Sequence, residues 1–177
     1  MALAAGLRMI FSYRDAATGD AAVLDRIFNK SFCDAFGHLY RPEDLDDFLS
    51  SFGIADWERE LRNSEHAFRI AEADGVPVGY AKIGPYKLPL KPDAPAMMLH
   101  QLYLLKDYHG VGLAHGLMDW VLEEARRRGA LEIYLTVFTD NRRARRFYER
   151  YGFAAAGRYD FMVGKQADED IIMRRSL

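Results

Sequence analysis

A single cysteine, Cys33, leaves the chain unable to form an internal disulfide or a cysteine cage for a metal. The five histidines show no ligand spacing with acidic partners, so no metal site is expected from them either. No apolar run approaches the ~20 residues of a membrane span, and the apolar opening Met1–Leu7 stops at Arg8, too short for a secretory core. These absences predict a soluble, cytoplasmic protein with no membrane partner. Charge of one sign is also missing: 24 basic against 26 acidic residues give a formal charge of −2, without the basic excess that a nucleic-acid surface needs. Repeats and low-complexity tracts do not occur, and three of the six prolines fall in one short stretch, Tyr86–Pro95, which reads as an irregular loop.

What is present is half apolar and 177 residues long, the size of one globular domain, expected to span 1–177. A strand at Met9–Tyr13 leads to a helix over about Asp20–Ala35, where Leu24, Ile27, Phe28 and Phe32 recur at helical spacing and Cys33 is expected in the core. Pro42 opens a second helix and Ala55–Asn63 forms a third. Asp74-Gly75 between Phe68–Ala73 and Val76–Ile83 is a two-residue hairpin signal. A strand over Ala96–Leu105 then precedes a glycine turn and a helix to about Arg128, stopped by Gly129. Leu131–Phe138 alternates as a strand does, Asp140 is placed to cap a helix running to Tyr151, and strands near Phe153–Val163 and Glu169–Arg174 close the chain. The order predicts a mixed α/β fold, one central sheet with helices on both faces.

The glycine turn, Tyr108-His109-Gly110-Val111-Gly112-Leu113-Ala114, lies between an apolar strand and a strongly helical segment. Glycines there let backbone N–H groups approach an anion at the positive end of a helix dipole, which is the chemistry of phosphate binding. A P-loop would end in Gly-Lys-Ser/Thr, but Leu113-Ala114 follow Gly112. A dinucleotide fingerprint would need a third glycine where His115 stands.

The turn resembles the coenzyme A pyrophosphate loop of the GCN5-related N-acetyltransferases: Arg or Gln, two residues, Gly, one residue, then Gly or Ala. His109, Gly112 and Ala114 fill those places, with histidine a departure at the first. Downstream, Asn141, Ala144 and Phe147-Tyr148, then Gly152-Phe153, follow in the order found in that superfamily. Phe36–Tyr40, Pro42–Leu45, Phe161–Gly164 and Asp170–Met173 are similar to the bacterial branch that includes spermidine and spermine N-acetyltransferases. The resemblance implies a single domain with a mixed, mostly antiparallel sheet, acetyl-CoA as cosubstrate without a metal, and acetylation of a primary amine of a small molecule, a polyamine among the candidates. A protein or peptide N-acetyltransferase and a non-catalytic acyl-CoA sensor are the rival readings. Monomer and homodimer both stay open.

The same resemblance assigns the site. Leu102, Tyr103 and Leu104 would offer backbone amides to the acetyl carbonyl and pantetheine arm; His109, Gly110, Val111, Gly112, Leu113 and Ala114 would cradle the pyrophosphate; Asn141 and Ala144 would flank the pantetheine. Tyr148 would protonate the leaving thiolate, and it lies two helical turns from Asn141, so both face one way. The two acidic positions common on the preceding strand fall at Met98 and His100, which share a face in a regular strand, and His100 is the candidate base, with an ordinary pKa suited to neutral pH. Phe36, His38 and Tyr40 would contact the acceptor, with Glu43, Asp44, Asp46 and Asp47 as an acidic wall behind them. Arg142 or Arg143, in an arginine run that otherwise reads as a solvated helix face, could reach a coenzyme phosphate.

Overall fold

In a computed structural model, which describes residues 9–177, one seven-stranded sheet runs in the order β1-β2-β3-β4-β5-β7-β6. The strands are β1 (Phe11–Asp15), β2 (Ala67–Ala73), β3 (Val76–Pro85), β4 (Ala96–Leu104), β5 (Glu132–Phe138), β6 (Ala154–Val163) and β7 (Gln166–Ser176). The helices are α1 (Ala21–Phe36), α2 (Pro42–Ser50), α3 (Ile54–Arg62), α4 (Leu113–Arg127) and α5 (Arg142–Arg150). Every strand pair is antiparallel except β4 with β5. The apolar opening Met1–Leu7 lies outside the described residues.

Two apolar layers sandwich the sheet. On one face Leu113, Leu117, Met118, Val121, Leu122 and Ala125 form the buried stripe of α4 and meet Leu99, Ile133, Leu135 and Val137. On the other, Leu24, Ile27, Phe28 and Phe32 of α1 and Trp57 of α3 meet Ile70 and Tyr80, and Phe48 of α2 packs at the margin. Full burial of such side chains stabilises by about 1.5–3 kcal/mol each, so the aromatic content is concentrated where it fixes α1 over the sheet. Trp57 keeps its indole N–H satisfied at 3.1 Å from Asp25 Oδ1.

Three local expectations change. Cys33 is exposed, because the buried stripe of α1 runs through Ser31 and Phe32 and one further residue turns the side chain out of it. Asn141, not Asp140, caps α5: its side-chain oxygen accepts from Ala144 N at 3.2 Å. The proline-rich stretch is anchored where Tyr86, Leu88 and Leu90 cover Met98, Tyr134 and Ile172, with the Tyr86 and Tyr134 rings 4.8 Å apart.

The feature that positions the site is an interruption. β4 and β5 pair only at Ala96–Met98 with Glu132–Tyr134, and beyond Met98 they separate. From Leu99 onward β4 is hydrogen-bonded to β3 alone, and a bulge places His100 as the extra residue, since Lys82 faces Gln101 while Ile83 faces Leu99. A wedge therefore opens in the middle of the sheet, where the facing edges of β4 and β5 carry backbone polar groups with no partner strand.

Candidate active site

The wedge holds a cavity of about 610 Å³. Its walls are Leu99–Leu104 of β4 and Leu135–Phe138 of β5, continued by the glycine loop and α5 at one end and by α1 and β7 at the other. His100, Leu102, Tyr103, Leu104, His109, Gly110, Gly112, Ala114, Asn141, Ala144, Tyr148, Phe36 and Tyr40 all line it.

Val111, Leu113 and His38 do not line it. Val111 is exposed and the Leu113 side chain is buried under α4, so only their backbones belong to the loop. His38 sits exposed in the short 3-10 turn Gly37–Leu39 that swings it away from the acceptor side. The carboxylates of α2 are absent from the wall too: Asp44 is tied to Arg41 at 2.7 Å and to the Lys165 backbone N–H at 3.2 Å, where it fastens α2 to the β6–β7 turn.

At the loop end, Gly110 and Gly112 have φ of 79° and 94°, which glycine adopts without strain. No backbone or side-chain acceptor among the described residues takes the amides of Gly110 through Ala114. Those amides sit at the N-terminus of a helix of 15 residues, so the loop is prepared for an anion. His109 Nε2 is 2.9 Å from the Leu104 carbonyl and its Nδ1 is 2.6 Å from Arg143 Nη1. A carbonyl can only accept and a guanidinium can only donate, which fixes the neutral tautomer protonated on Nε2. Burial first, then the nearby Arg143 charge, lowers the His109 pKa and keeps it in that form. Arg143 of α5 is thereby held beside the loop's first position.

Asn141 uses its side-chain oxygen as the cap, which leaves its amide nitrogen to point a donor elsewhere. Tyr148 is buried to 9 % exposure, its ring held edge-on to Phe147 and Phe153 at 5.5 and 5.9 Å. Its hydroxyl has no hydrogen-bond partner among the described residues, and burial pushes its pKa up to about 12.

The acceptor end differs from expectation in its titratable groups. His100 Nε2 lies 3.0 Å from the Pro85 carbonyl, and its ring stands 5.8 Å from that of His66. Burial, reinforced by the Lys82 ammonium, brings its pKa down to about 4, so the near-neutral value expected of this histidine does not survive its environment. Lys82 is itself buried and paired with Glu60 at 2.5 Å, and Glu60 is also 2.9 Å from His66 Nδ1.

Two carboxylates that the strand pattern disguised lie on this end of the cavity. Asp168 and Asp170 of β7 are each 7 % exposed. The Tyr40 hydroxyl donates to Asp168, as does Gln166 Nε2 at 2.9 Å. Desolvation raises the Asp170 pKa to about 6, with the Thr136 hydroxyl opposing and the Asp168 charge assisting. His115 is a further missed residue: it lines the loop end, 3.0 Å from the Tyr151 hydroxyl and 5.3 Å from the Phe147 ring centroid. No group of three or more metal-ligating side chains occurs among the described residues, and no helix there is long and apolar enough to cross a membrane.

Comparison with known proteins agrees with this geometry. The profile of the Acetyltransferase (GNAT) family matches residues 26–153. An uncharacterized N-acetyltransferase of Mycobacterium bovis is 34 % identical over 159 residues, covering 89 % of this chain and 98 % of the relative. Among solved structures, a GCN5-related N-acetyltransferase from Rhodopseudomonas palustris superimposes with a TM-score of 0.73 at 26 % identity, over 94 % of this chain and 95 % of that one. The PaiA N-acetyltransferase of Thermoplasma acidophilum, solved in complex with coenzyme A, shares the fold at a TM-score of 0.77 and 19 % identity, covering 95 % and 99 %. With a split sheet, an anion-ready loop at the start of α4 and a profile match over most of its length, the chain belongs to the Acetyltransferase (GNAT) family and is an N-acetyltransferase.

Proposed function

We propose that the protein transfers the acetyl group of acetyl-CoA to a primary amine of a small molecule by direct attack within a ternary complex. The observation that carries this reading is the wedge itself, which joins free loop amides, an unpartnered Tyr148 hydroxyl and an aromatic chamber in one cavity. The Gly110–Ala114 amides and Arg143 would take the pyrophosphate, and the unpaired edge of β4 at Leu102–Leu104 would take the acetyl carbonyl and the pantetheine amides. A backbone donor aimed at the developing oxyanion contributes several kcal/mol to the rate. Tyr148 would donate to the departing sulfur.

Phe32, Phe36, Tyr40, Phe138 and Phe161 enclose the acceptor end, with Phe36 edge-on to Phe138 at 6.1 Å and Phe32 stacked on Tyr40 at 6.0 Å. That enclosure favours a small amine over an extended polypeptide. Any attraction for a polyamine would come from Asp168, Asp170 and Asp34 of α1, because the α2 carboxylates do not line the cavity. The test is a thiol-release assay with acetyl-CoA across polyamines, amino acids, aminoglycosides and peptides. Release driven by small amines is expected; release driven by peptides alone would overturn the small-acceptor reading.

Arg143 provides a separate check on the coenzyme half. Because His109 holds it against the loop, Arg143→Ala should weaken acetyl-CoA about tenfold, the scale of one lost charge-assisted hydrogen bond. Calorimetry should find the same loss for acetyl-CoA lacking its 3′-phosphate. A loss confined to the 3′-phosphorylated coenzyme would move Arg143 away from the pyrophosphate.

A further inference from the structure

Acetylation of an alkylamine at neutral pH has a proton problem. The free amine is about one part in 10³ of the total at pH 7 when its pKa is near 10.4, so leaving deprotonation to bulk water costs roughly 4 kcal/mol. The strand position expected to supply a base carries His100, whose burial beside Lys82 keeps it uncharged and weakly basic. On the opposite wall stands a group that nothing else in the fold accounts for. Asp170 is nine-tenths buried, faces the cavity, and has no lysine, arginine or histidine against it among the described residues.

The register places it. Asp170 pairs with Phe138 and Ile172 with Thr136, so these four share the face of the sheet that looks towards α1, just past the point where β5 leaves β4. An amine held among Phe36, Tyr40 and Phe138 lies between this carboxylate and the unpaired edge of β4. Resting on the acetyl-transfer reading of this cavity, we propose that Asp170 receives the proton of the acceptor's ammonium group and so generates the nucleophile.

Asp168 is the positioning residue in this arrangement. Held by Tyr40 and Gln166, its carboxylate is fixed in place two residues along the same strand, on the same face. That charge disfavours ionisation of Asp170 and makes it a better proton acceptor. The other titratable groups facing Asp170 are phenols: Tyr40 from the segment after α1, Tyr103 from β4, and Tyr159, its register partner on β6. β5 presents Thr136 and Phe138 and α1 presents Phe36, none of which brings charge; Asp34 of α1, paired with Lys30 at 3.1 Å, is a further carboxylate on the cavity wall. With a pKa of about 6 against about 4, Asp170 is the stronger proton acceptor of the two.

The protons balance. The ammonium group gives its first proton to the Asp170 carboxylate, which releases it to water through the cavity mouth. The neutral nitrogen then forms the C–N bond with the acetyl carbon. As the C–S bond breaks, its electron pair leaves on sulfur, and the second proton lost from nitrogen ends on that sulfur, with the Tyr148 hydroxyl donating to it.

The experiment is the pH dependence of kcat/KM for an alkylamine acceptor between pH 5 and 9. Wild type should rise through a limb near pH 6 and then stay level to about pH 9. Asp170→Asn should lose that limb and instead climb about tenfold per pH unit towards the amine's own pKa, falling about 10²-fold below wild type at pH 7.5 while still binding acetyl-CoA. Asp168→Asn should move the limb to lower pH, His100→Gln should leave it where it is, and Asp170→Glu should retain a limb even if the asparagine variant fails to fold. A wild-type profile that climbs steadily to pH 9, a limb that persists in Asp170→Asn, or a limb that shifts only with His100 would overturn the assignment. Acetyl-CoA binding with no thiol release from any amine would instead bring down the acetyl-transfer reading beneath it.

Discussion

Ala114→Glu is expected to abolish useful coenzyme binding while leaving the fold as stable as before or slightly more so. Ala114 is the second residue of α4 and lines the cavity beside the unpaired amides of the glycine loop. A carboxylate in the first turn of a helix is favourable by about 0.3–1 kcal/mol, because it satisfies free N–H groups and opposes the helix dipole. The same placement puts a negative charge where, on the proposed reading, the pyrophosphate would lie. Two unit charges ~4 Å apart at an effective dielectric of 20 repel by about 4 kcal/mol, and the new side chain also consumes donors that the phosphates need. Calorimetric titration should show acetyl-CoA weakened by at least ~2 kcal/mol, about thirtyfold, with a melting temperature equal to or above wild type. An unchanged affinity would remove the loop from the coenzyme site. A lost affinity with a collapsed melting temperature would show instead that Ala114 is a packing residue.

How far such effects can be read from sequence differs from residue to residue, for physical reasons. The loop was legible because its signal is local: positive φ at Gly110 and Gly112 demands glycine, and a helix must begin immediately afterwards. The helix stripes of α1 and α4 and the Asp74-Gly75 hairpin were legible on the same ground. The wedge was not. Ala96–Leu104 and Glu132–Phe138 each look like ordinary buried strands, and only their three-residue pairing, followed by separation, creates the cavity. The bulge at His100 is equally silent, because an extra residue in one strand is defined by the strand opposite it. Asp170 was missed for a related reason. In Asp168-Glu169-Asp170-Ile171-Ile172 three consecutive acidic residues carry no local sign of burial, since ionisable side chains are mostly exposed. Asp168 and Asp170 are buried because β6 lies outside β7 and the aromatic side chains of α1 and the following turn cover their face. Asp140 and Asn141 are both good capping residues, and their choice hinged on where the chain leaves β5. The α2 carboxylates show the converse error: proximity in sequence to Phe36 and Tyr40 suggested a shared wall, whereas α2 packs against β6 and spends Asp44 on that contact.

Tyr148→Phe is expected to cut kcat by about 10²-fold with little change in acetyl-CoA affinity or stability. The phenyl ring would keep its edge-on contacts with Phe147 and Phe153, so the hydrophobic contribution stays. The hydroxyl contributes no hydrogen bond to the protein among the described residues, so removing it leaves no orphaned partner and should alter stability by under about 0.5 kcal/mol. Its chemistry follows from its environment. A thiol leaves with a pKa near 8.5, and complete transfer from a phenol of pKa about 12 would be uphill by about 5 kcal/mol. On the proposed reading Tyr148 would therefore act as a hydrogen-bond donor whose bond strengthens as negative charge grows on sulfur, and the proton that finally rests there would come from the acceptor nitrogen. A donor that matters only in the transition state lowers kcat and kcat/KM together and spares ground-state binding. Single-turnover rates, coenzyme titration and thermal melting on one preparation of the variant separate the possibilities. An unchanged rate with normal melting would make the phenol a packing residue, and a matched loss of rate and coenzyme affinity would make it a binding group. A fall in rate alone is the result expected of a cavity-lining phenol whose hydroxyl has no partner among the described residues.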